Sequence, residues 1–528
     1  MQKNRWRIAA GGAREVRLTY RVYCHEMSVR TNWVEADFAL INGAPTFMTL
    51  ASDVARPEGT PAGPAYTWPR QPAARVHDIT LELPATWKTS VTGLPNAADG
   101  RPHHYSAPDF DTLVDSPIVA GNPALHEFTV AGKTHVLVNV ASGNPEAVFD
   151  GARAARDVRR IVETNLTFWG GLPYEKYVFF NILTGAGGLE HKNSTVLMAS
   201  QWATGTRDAY VDWLSLASHE YFHLWNVKRL RPIELGPFDY ERENYPRSLW
   251  ISEGLTDYYA DVILARAGLV SRDEYLHALS TAIRGLQTTP GRLTQPVESA
   301  SFDAWIKYYR PDENSVNTTI SYYTKGAVLG FVLDARIRAA TDGARSLDDV
   351  LRQAFARFSG TRGFTPEDFR KLASDVAGAD LSSWFHDALE TTAELDYQPA
   401  LQWYGLEFGP SSFKDDEKAR ARIGATVADT SGRVTVTNVP RGTPAFDAGV
   451  NAGDEIVAID NFRVTPEQYL ARLEALTPGK EVAVLVARRE ALKTLTVRIA
   501  DAVPPAWELA VRPGATPAQL ARVSGWAR

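Results

Sequence analysis

His219-Glu220-Tyr221-Phe222-His223 is the stretch on which the reading of this chain turns. It lies in a window from Asp212 to about Val227 whose pattern predicts a helix, with Pro232 closing it off. A spacing of four puts both imidazoles on one face, one turn apart, where they can bind a single ion. Glu220 joins that face through its i, i+3 relation to His223, so it can touch a water beside the ion without ligating it. With 11 histidines in 528 residues, the pattern His-Glu-x-x-His arises by chance in only about one such chain in a hundred. Two structural histidines are therefore the weaker explanation.

A tetrahedral catalytic zinc takes a third protein ligand and leaves its fourth position to water. The next helix opens with Trp250-Ile251-Ser252-Glu253-Gly254-Leu255-Thr256-Asp257-Tyr258-Tyr259 and is expected to run to about Gly268. Glu253 is the expected third ligand. Asp257, one turn further on the same face, is placed to accept the free ring N–H of a ligating histidine. Alone, Glu253 reads as a solvated helix acid; the histidine pair upstream reverses that.

Working outward, residues 14 to about 140 are β-rich. Arg17 to Tyr23 and Asp78 to Leu83 alternate polar with apolar or β-branched residues, and Asn42-Gly43 and Pro61-Ala62-Gly63-Pro64 mark turns, so an antiparallel sandwich is expected. From Pro145 to Trp169 apolar residues recur at helical spacing until Gly170-Gly171. A strand from Tyr177 to Leu183, a glycine-rich turn from Gly185 to Gly188 and a second strand near Ser194 to Ser200 follow. Helical patterns then dominate to about residue 395. Beyond Asp396 short strands return. Val434 to Val439, Gly442 to Val450, Gly453 to Asp460 and a helix from about Pro466 to Leu476 follow in an order that resembles a PDZ domain. The expected domains are β-rich 1–143, catalytic 144–270, α-helical 271–400 and PDZ 405–502, with a tail over 503–528.

His-Glu-x-x-His with a downstream Glu-x-x-x-Asp helix is the pattern of the gluzincin metallopeptidases. The fuller wording, His219 to Arg229 and Ser248 to Tyr259, resembles the glycyl aminopeptidase family. The resemblance implies a multidomain α+β protein: an N-terminal β-sandwich, a thermolysin-like zinc peptidase domain, an α-helical domain and a C-terminal PDZ domain. Gly187-Gly188-Leu189-Glu190-His191-Lys192-Asn193-Ser194 resembles the exopeptidase motif of aminopeptidase gluzincins. There, backbone groups pair with an extended substrate and the Glu190 carboxylate holds its free ammonium. Tyr322-Tyr323-Thr324-Lys325-Gly326 resembles the segment that supplies a catalytic tyrosine, and Tyr323 is the expected donor to the oxyanion. By resemblance the substrates are peptides whose first residue is small, glycine or alanine. His191 borders the cleft or makes a structural hydrogen bond, and Lys228, Arg229 and Arg231 either meet a substrate carboxylate or favour the helix C-terminus.

At roughly 150 residues per domain, 528 residues suggest three or four domains. A hydrophobic content of 44% with 22% charged residues is that of globular proteins. The single cysteine, Cys24, excludes an internal disulfide framework. The net charge of −6, with scattered cations, excludes a nucleic-acid-binding stripe. No apolar run spans a bilayer. As given, the chain reads as cytoplasmic; a periplasmic or secreted enzyme follows if more sequence precedes Met1. Two other functions fit the same residues: a zinc endopeptidase without an amine anchor, and a PDZ peptide-binding scaffold with a vestigial zinc site. The intact Glu220 argues against the scaffold.

Overall fold

The structure, a computed structural model, describes residues 6, 8–50, 74–240, 243–409, 418, 420, 422–500 and 507–526. The turn expected at Pro61 to Pro64 lies outside them. In the N-terminal part the strands are β1 (Trp33–Val34), β2 (Phe38–Ile41), β3 (His77–Thr80), β4 (Thr89–Thr92), β5 (His104–Ala107) and β6 (Ile118–Gly121). Four of them form an antiparallel sheet in the order β1-β2-β6-β4, while β3 pairs with β5. Arg17 to Tyr23, expected as a strand, forms none: nearly all its side chains face solvent and no ladder holds it.

The central sheet takes β7 (Ala124–Val130), β8 (Lys133–Val140), β9 (Lys176–Ile182), β10 (Gly187–Glu190) and β11 (Ser194–Met198) in the order β10-β11-β9-β8-β7. Its first two strands thus precede the change of pattern at Asn144. The strands β8, β9 and β11 run parallel, and β10 and β7 flank them antiparallel. Alternate residues divide between two cores. Val136, Val138, Val140, Val178, Phe180, Ile182, Val196 and Met198 pack on Phe38, Leu40 and Val119 of the N-terminal sheet. Leu137, Tyr177, Phe179 and Leu197 face the helices. Covering both faces is why these strands read as continuous apolar runs rather than as alternation.

The crossover from β8 to β9 is α1 (Gly151–Trp169). It starts later than the apolar spacing predicts, because Pro145–Ala147 is a separate 3₁₀ turn and Asp150 caps the helix by accepting from Arg153 N at 2.9 Å. Gly170, at φ 79°, stops it in the left-handed region as expected. The helix α2 (Arg207–Phe222) begins earlier than the expected Asp212, since Thr206 accepts from Ala209 N. It ends with His223 as the capping residue, still in right-handed helical geometry, so the four-residue spacing of the histidines survives.

After a π-helical turn over Trp250–Gly254 comes α3 (Leu255–Arg266), packed on α2 and on α4 (Tyr322–Ala340). Backbones nearly touch where that turn meets α4: a Cβ built on Gly326 would lie 2.6 Å from the Gly254 Cα. Only glycine permits this approach.

The PDZ sheet, order β13-β14-β15-β17-β18, is built from the strands Thr426–Asp429 (β13), Val434–Asn438 (β14), Glu455–Ile459 (β15), Glu481–Arg488 (β17) and Ala491–Arg498 (β18), with Phe462–Arg463 (β16) paired on β15. It encloses its own core of Ile423, Val436, Ile456, Leu473 and Val484. The PDZ unit is inserted between two strands that pair with each other, β12 (Leu406–Gly409) and β19 (Glu508–Val511). Residues 503–528, expected as a tail, therefore carry a strand and the helix Pro517–Trp526. The Trp526 indole stacks on Tyr404 at 4.3 Å, donates to the Tyr258 hydroxyl at 2.9 Å and belongs to the main core. Composition gave no sign of this, because the segment is short and its anchors, Leu509, Val523 and Trp526, are scattered along it. Among the described residues no helix is long and apolar enough to cross a membrane.

Trp526→Ala should cost about 3–5 kcal/mol of main-body stability in denaturant unfolding, because a buried aromatic and its hydrogen bond are both lost. Replacing residues 410–506 by a short turn that keeps the β12–β19 pairing should leave amide hydrolysis and the unfolding midpoint of the main body largely intact. Truncation at residue 405 should leave neither.

Candidate active site

The site assembles from five elements: the end of α2, the π turn over Trp250–Gly254, the first turn of α3, the edge strand β10 and the start of α4. His219 and His223 face each other with their Nε2 atoms 2.9 Å apart. Glu253 Oε2 lies 3.5 Å from His219 Nε2 and 3.1 Å from His223 Nε2. Ligands at 2.0–2.1 Å from a tetrahedral ion are about 3.3 Å from one another, so the three atoms fit the edges of a zinc tetrahedron. The other ring nitrogens are committed elsewhere. His219 Nδ1 is 2.7 Å from Asp257 Oδ1, and His223 Nδ1 is 2.7 Å from the carbonyl oxygen of Asn226. Both Nδ1 atoms are thereby assigned the N–H, which leaves both Nε2 lone pairs aimed at the shared centre.

Charge makes the same point. Burial works against protonation of His219, yet Asp257 and Glu253 hold its affinity for a proton well above the ordinary histidine range. His223 is likewise pushed up to about 9 despite burial, by Glu253 above all. Burial opposes ionisation of Glu253 too, but the two histidines hold its carboxyl below the usual range. The carboxylate field that draws protons to these imidazoles would equally draw a metal cation.

Glu220 is buried, and burial raises its carboxyl to about 7. Its Oε2 has no hydrogen-bond partner among the described residues. The strand β10 explains how so large a group fits, for a Cβ on Gly188 would lie 2.1 Å from Glu220 Oε1. Gly187, at φ 105°, starts that strand, and Glu190 ends it. One ligand atom each of Glu190, Glu220 and His223 lie within 4.8 Å of one another, as do those of His219, His223 and Glu253. Tyr323 approaches from the opposite side. Its ring stacks near His219 at 6.3 Å, and its hydroxyl lies 3.3 Å from that of Tyr309. Tyr322 is 1% exposed and packs behind Tyr323 at 4.8 Å.

The structure thus brings His219, His223, Glu253, Asp257, Glu220, Glu190, Gly188 and Tyr323 together, with Gly187 at the start of the same edge strand. Two contributors went unread. Asn226 serves through its backbone oxygen, which no side-chain pattern reveals, while its amide donates to Ile251 O and Thr256 Oγ1 and so ties α2 to the π turn. Tyr309 sits in an irregular aromatic stretch without periodicity. The cations after α2 do not line the cleft as free charges. Lys228 pairs with Asp115, Arg229 donates to the carbonyls of Leu224, Lys192 and Pro173, and Arg231 to those of Pro232 and Gly236.

This geometry on this fold defines a metallopeptidase. The M61 glycyl aminopeptidase model matches residues 212–329, the N-terminal domain model of the same peptidase family matches 1–122, and a PDZ model matches 421–499. The chain carries the peptidase domain and the N-terminal domain of that family and is a peptide-bond hydrolase of the metallo-aminopeptidase class. A crystal structure of an aminopeptidase N family protein from Idiomarina loihiensis superposes with a TM-score of 0.84 at 29% identity, over 96% of this chain and 85% of that one. Yeast LTA4 hydrolase, native and in complex with bestatin, matches at 15% and 14% identity with TM-scores of 0.41 and 0.42, over 62% of this chain and about half of that one. No curated protein matches the chain.

Gly188→Ala tests the packing of β10 against Glu220. The three atoms nearest the added methyl all belong to the Glu220 side chain, so the variant should fold and bind zinc normally but lose at least about a hundredfold in kcat as Glu220 is displaced. Metal analysis and steady-state kinetics check both halves.

Proposed function

We propose that the chain is a zinc aminopeptidase that removes small N-terminal residues, glycine and alanine, from peptides with a free amino terminus. The observation that carries this is Glu190. Its carboxylate ends the edge strand beside Glu220 and His223, and among the described residues it makes no hydrogen bond or ion pair. A half-buried carboxylate left open beside a hydrolytic centre suits a substrate ammonium. An endopeptidase has no use for it. The preference for small residues rests on the family description.

His219, His223 and Glu253 would hold the zinc, which when bound would polarise the scissile carbonyl and acidify a water. Asp257 and the Asn226 carbonyl keep the imidazoles in the ligating tautomer. The outer edge of β10, with Gly187 and Gly188, offers backbone N–H and C=O groups to an extended substrate. Glu190 accepts the N–H bonds of the ammonium and fixes which peptide bond is cleaved. Glu220 takes the proton of the attacking water on its unpartnered oxygen and returns it to the leaving amine. Tyr323 donates its hydroxyl to the oxyanion. The PDZ domain supplies a separate site for a peptide or protein C-terminus.

Four substitutions separate these roles. Glu190→Gln should lower kcat/KM for glycyl and alanyl substrates ten- to a hundredfold, about 1.5–3 kcal/mol, with unchanged zinc content. Its effect on an N-acetylated analogue should be much smaller, and an equal loss on both would refute the amine anchor. Glu220→Gln should keep zinc and lose roughly 10²- to 10⁴-fold or more in turnover. Tyr323→Phe should lower kcat with little change in KM, whereas Tyr322→Phe should be far milder.

A further inference from the structure

Three features left over from the catalytic assignment meet at one point. Asp115 follows the short helix Phe110–Val114 in the N-terminal part and reaches the central sheet. Its Oδ1 lies 2.7 Å from Lys228 Nζ and 3.1 Å from His191 Nδ1, and its Oδ2 accepts from the Lys192 backbone N–H at 2.9 Å. His191 and Lys192 are the two residues after Glu190. Lys228 lies five residues beyond His223. One carboxylate from the N-terminal part therefore fixes both the turn leaving the amine anchor and the segment leaving the zinc-ligand helix.

The placement of charge is more telling than the bonds. The Lys228 side chain is 14% exposed and that of Asp115 16%, so neither charge is left to water. Burial weakens the hold of Lys228 on its proton, and the fields of Asp115 and then Glu190 more than restore it. Glu190 is thus within electrostatic reach of this ammonium, yet its carboxylate contacts no cation among the described residues. A buried ammonium deprived of its partner takes the nearest alternative carboxylate, because an unpaired charge there costs several kcal/mol. After Asp115, the carboxylate whose field acts on Lys228 is that of Glu190, the amine anchor.

We propose that Asp115 is a positioning residue that keeps the amine site open: it holds the ammonium of Lys228 away from Glu190 and pins the turn that carries Glu190. The site is reserved for an external ammonium because the internal one is already engaged. This rests on the reading of Glu190 as the amine anchor.

The test compares two matched metal-chelating inhibitors, glycine hydroxamate and acetohydroxamate, which differ only in the amine. The wild-type enzyme should bind the first about ten- to a hundredfold more tightly. In Asp115→Asn, whose amide oxygen can still accept from Lys192 N–H, that ratio should fall by about tenfold while zinc content and acetohydroxamate binding stay unchanged. Removing the intruding ammonium as well, in the double variant Asp115→Asn/Lys228→Met, should restore the ratio to within about threefold of wild type. Lys228→Met alone should keep it, which gives a reading if Asp115→Asn does not fold. Recovery in the double variant is the result a merely structural role for Asp115 cannot produce. An unchanged ratio in Asp115→Asn, no recovery in the double variant, or a lost ratio in Lys228→Met overturns the positioning role and leaves Glu190 standing. A wild-type ratio near one, unaffected by Glu190→Gln, overturns the amine anchor and this inference with it.

Discussion

The site depends on the contact of Gly254 with Gly326. The π turn over Trp250–Gly254 presents Glu253, and α4 presents Tyr323 as its second residue; the two elements meet because neither glycine carries a Cβ. Close backbone approach of this kind leaves no slack, since a methyl at Gly326 would also fall 2.7 Å from the Trp250 carbonyl oxygen. A π turn inside a helix places its residues about a third of a turn away from regular helical positions, and such turns cluster at functional sites. Here it carries the third ligand atom toward the imidazoles while leaving Asp257, in regular α geometry one turn on, beneath His219.

Two glycine contacts, Gly254 on Gly326 and Gly188 on Glu220, hold the site. One sets the distance between ligand and tyrosine, the other the position of the base. Both exploit a missing side chain to bring a charged or aromatic group where bulk would otherwise exclude it. The buried polar groups around them are cross-linked rather than isolated. Asn226 bridges the helices, and Ser218 donates to Ala260 O at 2.9 Å, so α2 and α3 are joined by hydrogen bonds as well as by apolar packing.

What was legible in the sequence follows from what leaves a local trace. The spacing of His219 and His223 fixes one helical face, so their meeting could be anticipated without coordinates, whereas the π turn that carries Glu253 left no mark in the spacing. The PDZ strands announced themselves through β-branched runs between glycine turns, and strand Val434–Asn438 falls where the pattern put it. Arg17 to Tyr23 failed because alternation indicates a half-buried strand only when a partner exists to bury it. The end of α2 was misplaced because its stop is not a proline but a tightening of the chain, with Val227 N and Lys228 N both donating to His223 O. Long-range pairings, Asp115 with Lys228 across 113 residues or Trp526 with Tyr258 across 268, have no local signature at all.

The pairing of β12 with β19 has a consequence for how the protein comes into being. The main body is complete only when Trp526 reaches Tyr404, and between those residues lies the whole PDZ unit with its separate core. During synthesis at about 5–20 residues per second, Tyr404 waits roughly 6–24 seconds for its partner. Throughout that interval an aromatic surface of the catalytic half stands uncovered, while the inserted unit has everything it requires to fold first. The peptidase body therefore stays open until the segment that carries Trp526 arrives to close it.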